Sequence, residues 1–360
     1  MMPKPKKNIL ICPLDWGLGH ATRMVPVIKE IKEQGANVIL AADNGPLDFL
    51  LRYFPNEKIL KLRGFSPNYP LKGSMSWKIV RSIPQIIHKS RIARKSIRKI
   101  ISEYKIDAII SDNRYELSGM GVPTVFVTHQ LNIQTSGLQK LIKPLINVII
   151  NNMIDAFDEV WVPDSSDHRL SGNLSKTNKF IAKLHFIDIL SRFSSVNVKS
   201  KTDLPILVLL SGPEPQRTIL EIKLIEQALK CGIETVILQG LPGKTSRKKI
   251  KNITLISHAD DDELAEYICS AKHIICRPGY STLMDLAALN KSGIFIPTPG
   301  QTEQEYLSRR FLQENIAFSE SQDKFNLINA INKGINYKGI YMSHNNLKLK
   351  ERINVLLNNC

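Results

Sequence analysis

The segment that most constrains the fold of this chain is the run 274–289. Its first three residues are apolar and predict the end of a strand. Pro278 and Gly279 then force a turn. Ser281 or Thr282 is a suitable N-cap for the helix that the apolar spacing predicts next. A strand, a tight turn and a helix in this order present backbone N–H groups to an anion, most often a phosphate.

Asp285 extends this segment into a candidate nucleotide site. It lies about one turn inside the predicted helix, roughly 6 Å from the helix start. That is about the reach from a nucleotide's diphosphate to its ribose hydroxyls, which a carboxylate binds well. Thr282 and Asp285 also fit a capping box, which satisfies the helix start without any ligand. On this segment alone both interpretations stay open.

A similar unit opens the chain. Asn8 to Cys12 predicts a buried strand, the loop Gly17-Leu18-Gly19-His20 follows, and a helix leads to a second strand at Val38 to Ala42. This is a βαβ unit of a parallel sheet, with its glycine loop at the carboxyl end of the first strand. Thr22 stands where a dinucleotide fingerprint has its third glycine, which weakens an NAD interpretation. His20 on this loop is a candidate for chemistry because imidazole titrates near neutrality.

Other polar side chains follow the predicted strands of the first half. Asp15 follows the first strand, Asp112 follows strand 107–111, and His129 lies at the end of strand 124–128. Because carboxyl ends of parallel strands meet at one edge, we expect Asp112 and His129 to open onto the same crevice as His20. We predict His20 or Asp15 as the general base of this polar wall, with His129 as a third candidate.

Composition narrows the class of protein. A formal charge of +16 over 360 residues points to anionic partners: nucleic acid, a membrane surface or phosphorylated small molecules. The five cysteines are scattered without CxxC spacing, which argues against a disulfide framework or a zinc site. No apolar run reaches the about 20 residues that span a bilayer. We therefore expect a cytoplasmic protein with at most peripheral membrane contact.

Two charged stretches each allow two interpretations. The segment 77–105 has helical apolar spacing with many interleaved Lys and Arg residues. Such a helix either packs on the core with a solvated face or rests on anionic lipid headgroups. The acidic run Asp260 to Glu263 lies at a predicted helix start, where acids favour the helix dipole. Because no further ligands stand at suitable spacing, we expect no metal there.

The second half repeats the α/β pattern after a break. Periodicity fades between residues 165 and 203, as in an inter-domain crossing. A strand then leads into the turn Ser211-Gly212 and a helix near Arg217. We expect a first Rossmann-like domain over 1–185 and a second over 203–335. A C-terminal helix within 336–360 should pack back on the first domain.

Four segments, taken together and in order, resemble the GT-B glycosyltransferases, in particular the branch of the peptidoglycan enzyme MurG. The loop 17–20 resembles that branch's G-x-G-G-H loop, and residues 127–132 resemble its L-H-E-Q-N segment. Residues 276–289 resemble its donor-nucleotide segment, and 297–306 the stretch that follows it. The resemblance implies an α/β GT-B fold, with two Rossmann-like parallel-sheet domains facing an inter-domain cleft.

The resemblance also implies roles by position. Asp285 stands at the ribose-binding acid, while Gln304 and Glu305 stand where a Gln pair helps to hold the nucleotide-sugar. His20 faces the acceptor and the donor diphosphate. The full set of residues expected to bind the donor is Gly17, Gly19, Ser211, Gly212, Arg217, Arg277, Gly279, Ser281, Thr282, Asp285, Gln304 and Glu305.

The implied function is an inverting, metal-independent glycosyltransferase without a cofactor. Its donor is a UDP-sugar, UDP-GlcNAc above all, and its acceptor is an unidentified sugar or lipid hydroxyl. An anionic membrane surface, met through the helix 77–105, is a further partner to test, whereas nucleic acid is not expected. The alternatives are a nucleotide-sugar epimerase of the same fold, an NAD-binding protein that uses Gly17, Gly19 and Asp43, and a non-catalytic nucleotide-binding protein.

Overall fold

The computed structural model describes residues 5–63, 92–134, 143–194, 196, 203–241, 243–342 and 346–360. These residues form two compact units. The first unit holds the described residues up to Ser191 together with those from Asn346 onward, and the second holds those between Arg192 and Met342. The division thus falls inside the stretch where sequence periodicity fades.

The first unit contains β1 (Asn8–Pro13), α1 (Leu18–Glu33), β2 (Asn37–Ala42), α2 (Asn44–Tyr53), β3 (Lys58–Lys61), α3 (92–104), β4 (Ala108–Asp112), β5 (Thr124–Val127), α4 (Lys143–Asp155), β6 (Glu159–Val162) and β7 (Leu184–Phe186). Its strands form one parallel sheet in the order β3-β2-β1-β4-β5-β6-β7. The interior strand β1 is buried on both faces, with Ile9 to Cys12 at 0% exposure. Such continuous apolar runs are typical of parallel strands covered by helices.

The second unit contains β8 (Leu204–Leu209), α5 (Gln216–Cys231), β9 (Thr235–Leu238), β10 (Arg247–Ile250), β11 (Ile253–Ile256), α6 (Asp261–Ser270), β12 (Ala271–Cys276), α7 (Tyr280–Ala288), β13 (Ile294–Phe295), α8 (Thr302–Gln313) and α9 (Leu327–Gly334). Its sheet has the order β10-β11-β9-β8-β12-β13 and is parallel except where β10 meets β11. Two α/β units with parallel sheets are therefore present, as the sequence predicts.

The chain ends in the unit where it begins. The last helix, α10 (Leu347–Asn359), buries Leu349, Ile353 and Leu356. Arg352 forms an ion pair with Glu159 at 2.6 Å, and the Gln34 side chain donates to the carbonyl of Lys350 at 2.9 Å. These contacts tie α10 to the first unit.

The structure differs from the sequence prediction at three short strands that lie at the edges of the two sheets. The sequence pattern predicts no strand at β3 or β10, and β7 lies in the stretch where periodicity fades. In β3 the first and last residues are exposed, and in β10 the first three are. Neither strand therefore contains a buried apolar run. The helix α2 was also not predicted. Edge strands lack the burial that makes interior strands recognisable in sequence.

The region after β6 is ordered around one buried carboxylate. Asp164, at 0% exposure, accepts hydrogen bonds from the backbone N–H groups of Ser165 at 2.8 Å, Leu170 at 3.2 Å and Ser171 at 2.8 Å. The hydroxyl of Ser171 donates to it at 2.5 Å. The backbone N–H groups of this region donate to the Asp164 carboxylate and not to carbonyls of a helix or strand. The region therefore needs no helical or strand periodicity in its sequence.

Only part of the basic segment 77–105 is described. Residues 92–104 are helical, and Ala93 and Ile97 are buried while Lys95, Arg98 and Lys99 are exposed. Residues 77–91 lie outside the described residues. The described part is an amphipathic helix with a basic outer face.

Candidate active site

The glycine loop between β1 and α1 brings His20 to the carboxyl edge of the first sheet. Gly17 adopts φ 82°, a left-handed conformation that favours glycine, and it is the N-cap of α1. The Thr22 hydroxyl donates to the Gly19 carbonyl at 3.1 Å, so this position has a local role in the loop. His20 follows in the first turn of α1, with 16% of its side chain exposed.

His20 contacts a buried aspartate at the end of β4. Its Nδ1 lies 3.0 Å from Oδ2 of Asp112, whose side chain is 0% exposed. Because a carboxylate can only accept, we assign the Nδ1–H tautomer, in which His20 donates to Asp112. Arg23 Nη2, which also lies near Nδ1, can only donate, and in this tautomer it donates to Asp112 Oδ1 instead. The lone pair is then on Nε2. This leaves Nε2 as the atom that can take a proton from a hydroxyl.

Arg23 completes this cluster from the next turn of α1. Its Nε donates to Asp112 Oδ2 at 2.9 Å, and its Nη2 donates to Asp112 Oδ1. Nη2 also lies 3.0 Å from Nδ1 of His20, and Nη1 lies 3.3 Å from Nδ1 of His129. Arg23 is buried, with 2% exposure. One carboxylate therefore holds both an imidazole and a guanidinium.

The surroundings adjust the ionisation of the cluster. Burial lowers the pKa of His20 from 6.5, and Asp112 opposes this shift. For Asp112 burial favours the protonated form, but Arg23 and His20 together lower the pKa of its carboxyl. His20 is thus neutral and Asp112 ionised near neutral pH, which is the state a general base requires.

The other two candidate bases are held differently. Asp15 is 6% exposed and accepts a hydrogen bond from the backbone N–H of Asp43 at 2.9 Å. Burial raises the pKa of Asp15 to about 6. His129 is 4% exposed, and its Nδ1 lies near Nη1 of Arg23, whereas His20 lies near Nη2. His20 is the most exposed of the three.

In the second unit, α7 begins earlier than the sequence predicts. Its N-cap is Gly279, so Tyr280, Ser281 and Thr282 form its first turn. The N-cap prediction for Ser281 or Thr282 is wrong, and so is a capping box at Thr282. Tyr280 is 4% exposed, and burying its ring at the first helical position accounts for the early start. The cap position carries no side-chain hydrogen bond.

Two side chains of α8 close the neighbouring loop. Gln304 is 5% exposed and accepts a hydrogen bond from the Thr298 backbone N–H at 2.8 Å. A Cβ at Gly279 would lie 3.9 Å from the Gln304 amide nitrogen and 3.8 Å from the Thr282 hydroxyl. Glu305 accepts from the Gly300 N–H at 2.8 Å. The loops that precede α7 and α8 therefore meet at Gly279.

The turn after β8 lies against the same loop. Gly212 has φ 99°, and a Cβ there would lie 3.4 Å from the Thr298 hydroxyl. Ser211 is exposed. The turns after β8, β12 and β13 thus gather at the carboxyl edge of the second sheet, where ligands of parallel sheets bind.

Asp285 lies on α7 beside an arginine from the start of the second unit. Arg192 Nε is 3.9 Å from Asp285 Oδ2, and Arg192 Nη1 is 2.5 Å from Asp261 Oδ1. The side chain of Asp285 is 16% exposed. The predicted ribose acid is thus half-buried and near a cation in this structure.

The two arginines predicted to contact the donor are internal. Arg217 donates to Glu214 at 2.6 Å and to Glu221 at 2.8 Å, so two carboxylates offset its charge. Arg277 is 0% exposed and donates to the carbonyls of Ile296, Pro297 and Gln216 and to the side chain of Gln322. These contacts favour structural roles for the two guanidinium groups.

Sequence reasoning missed Arg23, Arg192 and Gln322. Arg23 had a usable signal, because it stands three residues after His20 and so shares its helix face. Arg192 and Gln322 lie outside regular elements and reach the site only through the tertiary fold. No local pattern marks such residues.

The described residues offer neither a metal-binding group nor a membrane-spanning helix. Among the described residues, no group of three His, Cys, Asp or Glu side chains could hold a metal ion. Asp260 instead caps α6 by accepting from the Glu263 N–H at 2.9 Å, as its position in sequence predicts. In the described part of the chain no helix is both long and apolar enough to cross a membrane.

Comparison with known proteins agrees with this architecture. Residues 234–353 match the glycosyltransferase family 28 C-terminal domain. The chain is 24% identical over 303 residues to the UDP-N-acetylglucosamine–N-acetylmuramyl-(pentapeptide) pyrophosphoryl-undecaprenol N-acetylglucosamine transferase of Campylobacter fetus, covering 83% of each chain. The Acinetobacter baumannii MurG structure superposes with a TM-score of 0.52 at 16% identity, over 91% of this chain and 89% of that one. The kitacinnamycin glycosyltransferase gives 0.64 at 11% identity, over 99% and 95%.

The fold and these comparisons together indicate a glycosyltransferase of GT-B fold. Within that class the chain is MurG-like and carries a family 28 C-terminal domain.

Proposed function

We propose that this glycosyltransferase moves a sugar from a UDP-sugar, UDP-GlcNAc above all, to an acceptor hydroxyl, with inversion at the anomeric carbon. The observation that carries the proposal is the contact between His20 Nδ1 and Asp112 Oδ2 at 3.0 Å. This contact orients a neutral imidazole whose Nε2 can accept a proton. Inversion by direct displacement of the nucleoside diphosphate needs a base that takes the proton from the acceptor hydroxyl. The relative from Campylobacter fetus carries UDP-N-acetylglucosamine in its name, which supports this donor.

The second unit is proposed to hold the donor. The start of α7 favours the diphosphate because helix N-termini attract negative charge. Asp285 would accept hydrogen bonds from the ribose hydroxyls, in place of its contact with Arg192. Gln304 and Glu305 border the same loop. Fixed dipoles at these turns can stabilise a departing nucleoside diphosphate, so we propose that no metal is needed.

The first unit is proposed to bind the acceptor, which we infer to be lipid-linked. The name of the Campylobacter fetus relative includes a pyrophosphoryl-undecaprenol acceptor. Exposed Lys95, Arg98 and Lys99 on α3 would attract an anionic membrane surface, at about 1 kcal/mol per basic residue. These features support a cytoplasmic enzyme that works at the inner face of the membrane.

The donor assignment is tested by titrating UDP into the wild type and the Asp285→Ala variant by calorimetry. Charge-assisted hydrogen bonds contribute about 1.5–3 kcal/mol, so binding should weaken by about 10- to 150-fold. Asp262→Ala, an exposed change on α6, is the matched control and should bind as the wild type does. Equal UDP affinity for both variants contradicts the ribose assignment.

The reaction is tested with a panel of nucleotide-sugars and a lipid extract from the source cell, with products analysed by mass spectrometry. We expect UDP release together with a glycosylated lipid, and neither product with His20→Ala. Conversion of the UDP-sugar without any acceptor would instead indicate an epimerase. Stabilisation by NAD rather than UDP in a thermal-shift assay would indicate a dinucleotide enzyme. UDP release that stays at background with every extract would indicate a non-catalytic binding protein.

A further inference from the structure

Arg277 is a buried cation that has no counter-ion among the residues described by the structure. It is 0% exposed, and it forms no ion pair with any residue that the structure describes. Its acceptors are all neutral: the carbonyls of Ile296 at 3.1 Å, Pro297 at 2.9 Å and Gln216 at 3.0 Å, and Oε1 of Gln322 at 2.5 Å. Its Nε is buried and makes no hydrogen bond to the described residues. Burial lowers the pKa of Arg277 to about 10, so the group stays charged at neutral pH.

Other buried arginines in this protein have carboxylate partners. Arg23 pairs with Asp112, Arg114 with Glu116, and Arg217 with both Glu214 and Glu221. A buried charge without a partner is strongly unfavourable for a folded chain. Arg277 therefore differs from these residues in a way that its hydrogen bonds alone do not explain.

The position of Arg277 indicates where the missing negative charge belongs. Arg277 directly follows β12, while its acceptors Gln216 and Pro297 belong to the segments that follow β8 and β13. These three strands are neighbours, so the guanidinium joins three loops at the carboxyl edge of the sheet. Helix α7 begins at Tyr280, three residues after Arg277. The Cα atoms of Tyr280 and Arg277 therefore lie within roughly 10 Å of each other.

We propose that the counter-charge of Arg277 is the diphosphate of the bound donor, which Arg277 stabilises through space without touching it. This inference rests on the proposed function, because it takes the donor site to be the start of α7. Arg277 is then a positioning residue: it holds the Pro297 and Gln216 carbonyls in place and gives the three loops a positive potential. The same potential would stabilise the nucleoside diphosphate as it leaves.

Gln322→Glu separates charge from structure. The change keeps an oxygen at the acceptor position, 2.5 Å from Arg277 Nη2, but adds the carboxylate that the site lacks. The Gln322 amide also donates to Gln216 Oε1 at 3.0 Å. That contact survives if the Gln216 amide turns over and donates to the new carboxylate. The variant thus neutralises Arg277 and leaves its hydrogen bonds in place.

The measurement compares UDP with uridine, which lacks the phosphates, on the full-length protein by calorimetry. One opposing charge within about 10 Å should weaken UDP binding by about tenfold or more at an effective dielectric constant near 20. Uridine affinity should stay within about twofold, and the melting temperature should not fall. Gln313→Glu makes the same chemical change at an exposed position of α8 and should alter none of these values.

Two results overturn the inference. One is unchanged UDP affinity in a folded Gln322→Glu variant, and the other is a parallel loss of UDP and uridine binding, which would show distorted loops. If Gln322→Glu does not fold, Arg277→Met is compared in the same way, and an unchanged ratio of UDP to uridine affinity then overturns the inference. A wild-type chain that binds no UDP overturns the proposed function as well, so the two failures are distinguishable.

Discussion

Replacing Asp112 by asparagine tests the general base by changing one side-chain atom. The shape of the residue is kept, and its remaining oxygen, at the Oδ1 position, can still accept a hydrogen bond from Arg23 Nη2. The new NH₂ group faces Nδ1 of His20, where the carboxylate oxygen lies at 3.0 Å. Nδ1 must then accept rather than donate, so the ring proton moves to Nε2. The atom that should take the acceptor's proton is therefore blocked.

The expected loss follows from this change of tautomer. An imidazole held in the wrong tautomer costs about 10³- to 10⁴-fold in kcat, which is about 4–5.5 kcal/mol in the activation barrier. The KM for the donor should change little, because the substitution leaves Asp285, Gln304 and the start of α7, which are proposed to hold the donor, unchanged. Asp112 also opposes the lowering of the His20 pKa. Residual activity should therefore fall off at a lower pH than wild-type activity does.

The assay is product formation from UDP-GlcNAc and the lipid extract, at saturating donor and over a range of pH. Asp107→Asn is the matched control, since Asp107 precedes β4 at the opposite edge of the sheet and accepts from the Asn8 N–H at 2.7 Å. That variant should retain wild-type kcat. A folded Asp112→Asn enzyme with activity within about tenfold of wild type refutes the assignment of His20 as a base oriented by Asp112.

Two further predictions concern stability, and chemical denaturation measures both. Folding raises the pKa of Asp15 from 3.8 to about 6, so the wild type loses stability as the pH rises through that interval. Asp15→Asn should thus be more stable by about 3 kcal/mol at pH 8 and not below pH 4; a gain that does not depend on pH contradicts this cause. Asp164→Ala leaves the backbone N–H groups of Ser165, Leu170 and Ser171 without their acceptor, so it should lower the free energy of unfolding by about 3–5 kcal/mol. Asp167→Ala, at an exposed position, should lower it by less than about 0.5 kcal/mol. Equal stability of these two alanine variants would contradict the organising role of Asp164.

Burial explains which parts of the fold were predictable from sequence. Interior strands such as β1 are apolar on both faces, and their ends can be read to within a residue or two. Edge strands such as β10, with the sequence Arg-Lys-Lys-Ile, look like loops because no residue on them needs to be apolar. The parallel sheet itself follows from the order of strands and helices, which depends on the buried elements.

The site was predictable where topology alone gathers side chains. His20, Asp112 and His129 were expected at one edge, and the structure brings all three to Arg23. Sequence could not show which way a side chain turns after a strand. Arg217 and Arg277 both follow strand ends, yet both point into the protein and bond to its own groups.

The return of α10 to the first unit has a consequence for synthesis on the ribosome. Helix α10 packs against α1, so the first unit stays incomplete until residues 347–359 have been synthesised. The second unit, about 150 residues, is synthesised in between, which takes roughly 10–30 s. During that time the apolar surface beneath Leu349, Ile353 and Leu356 is open to other chains. The first unit, which carries His20, therefore cannot bury this surface before the second unit has been synthesised.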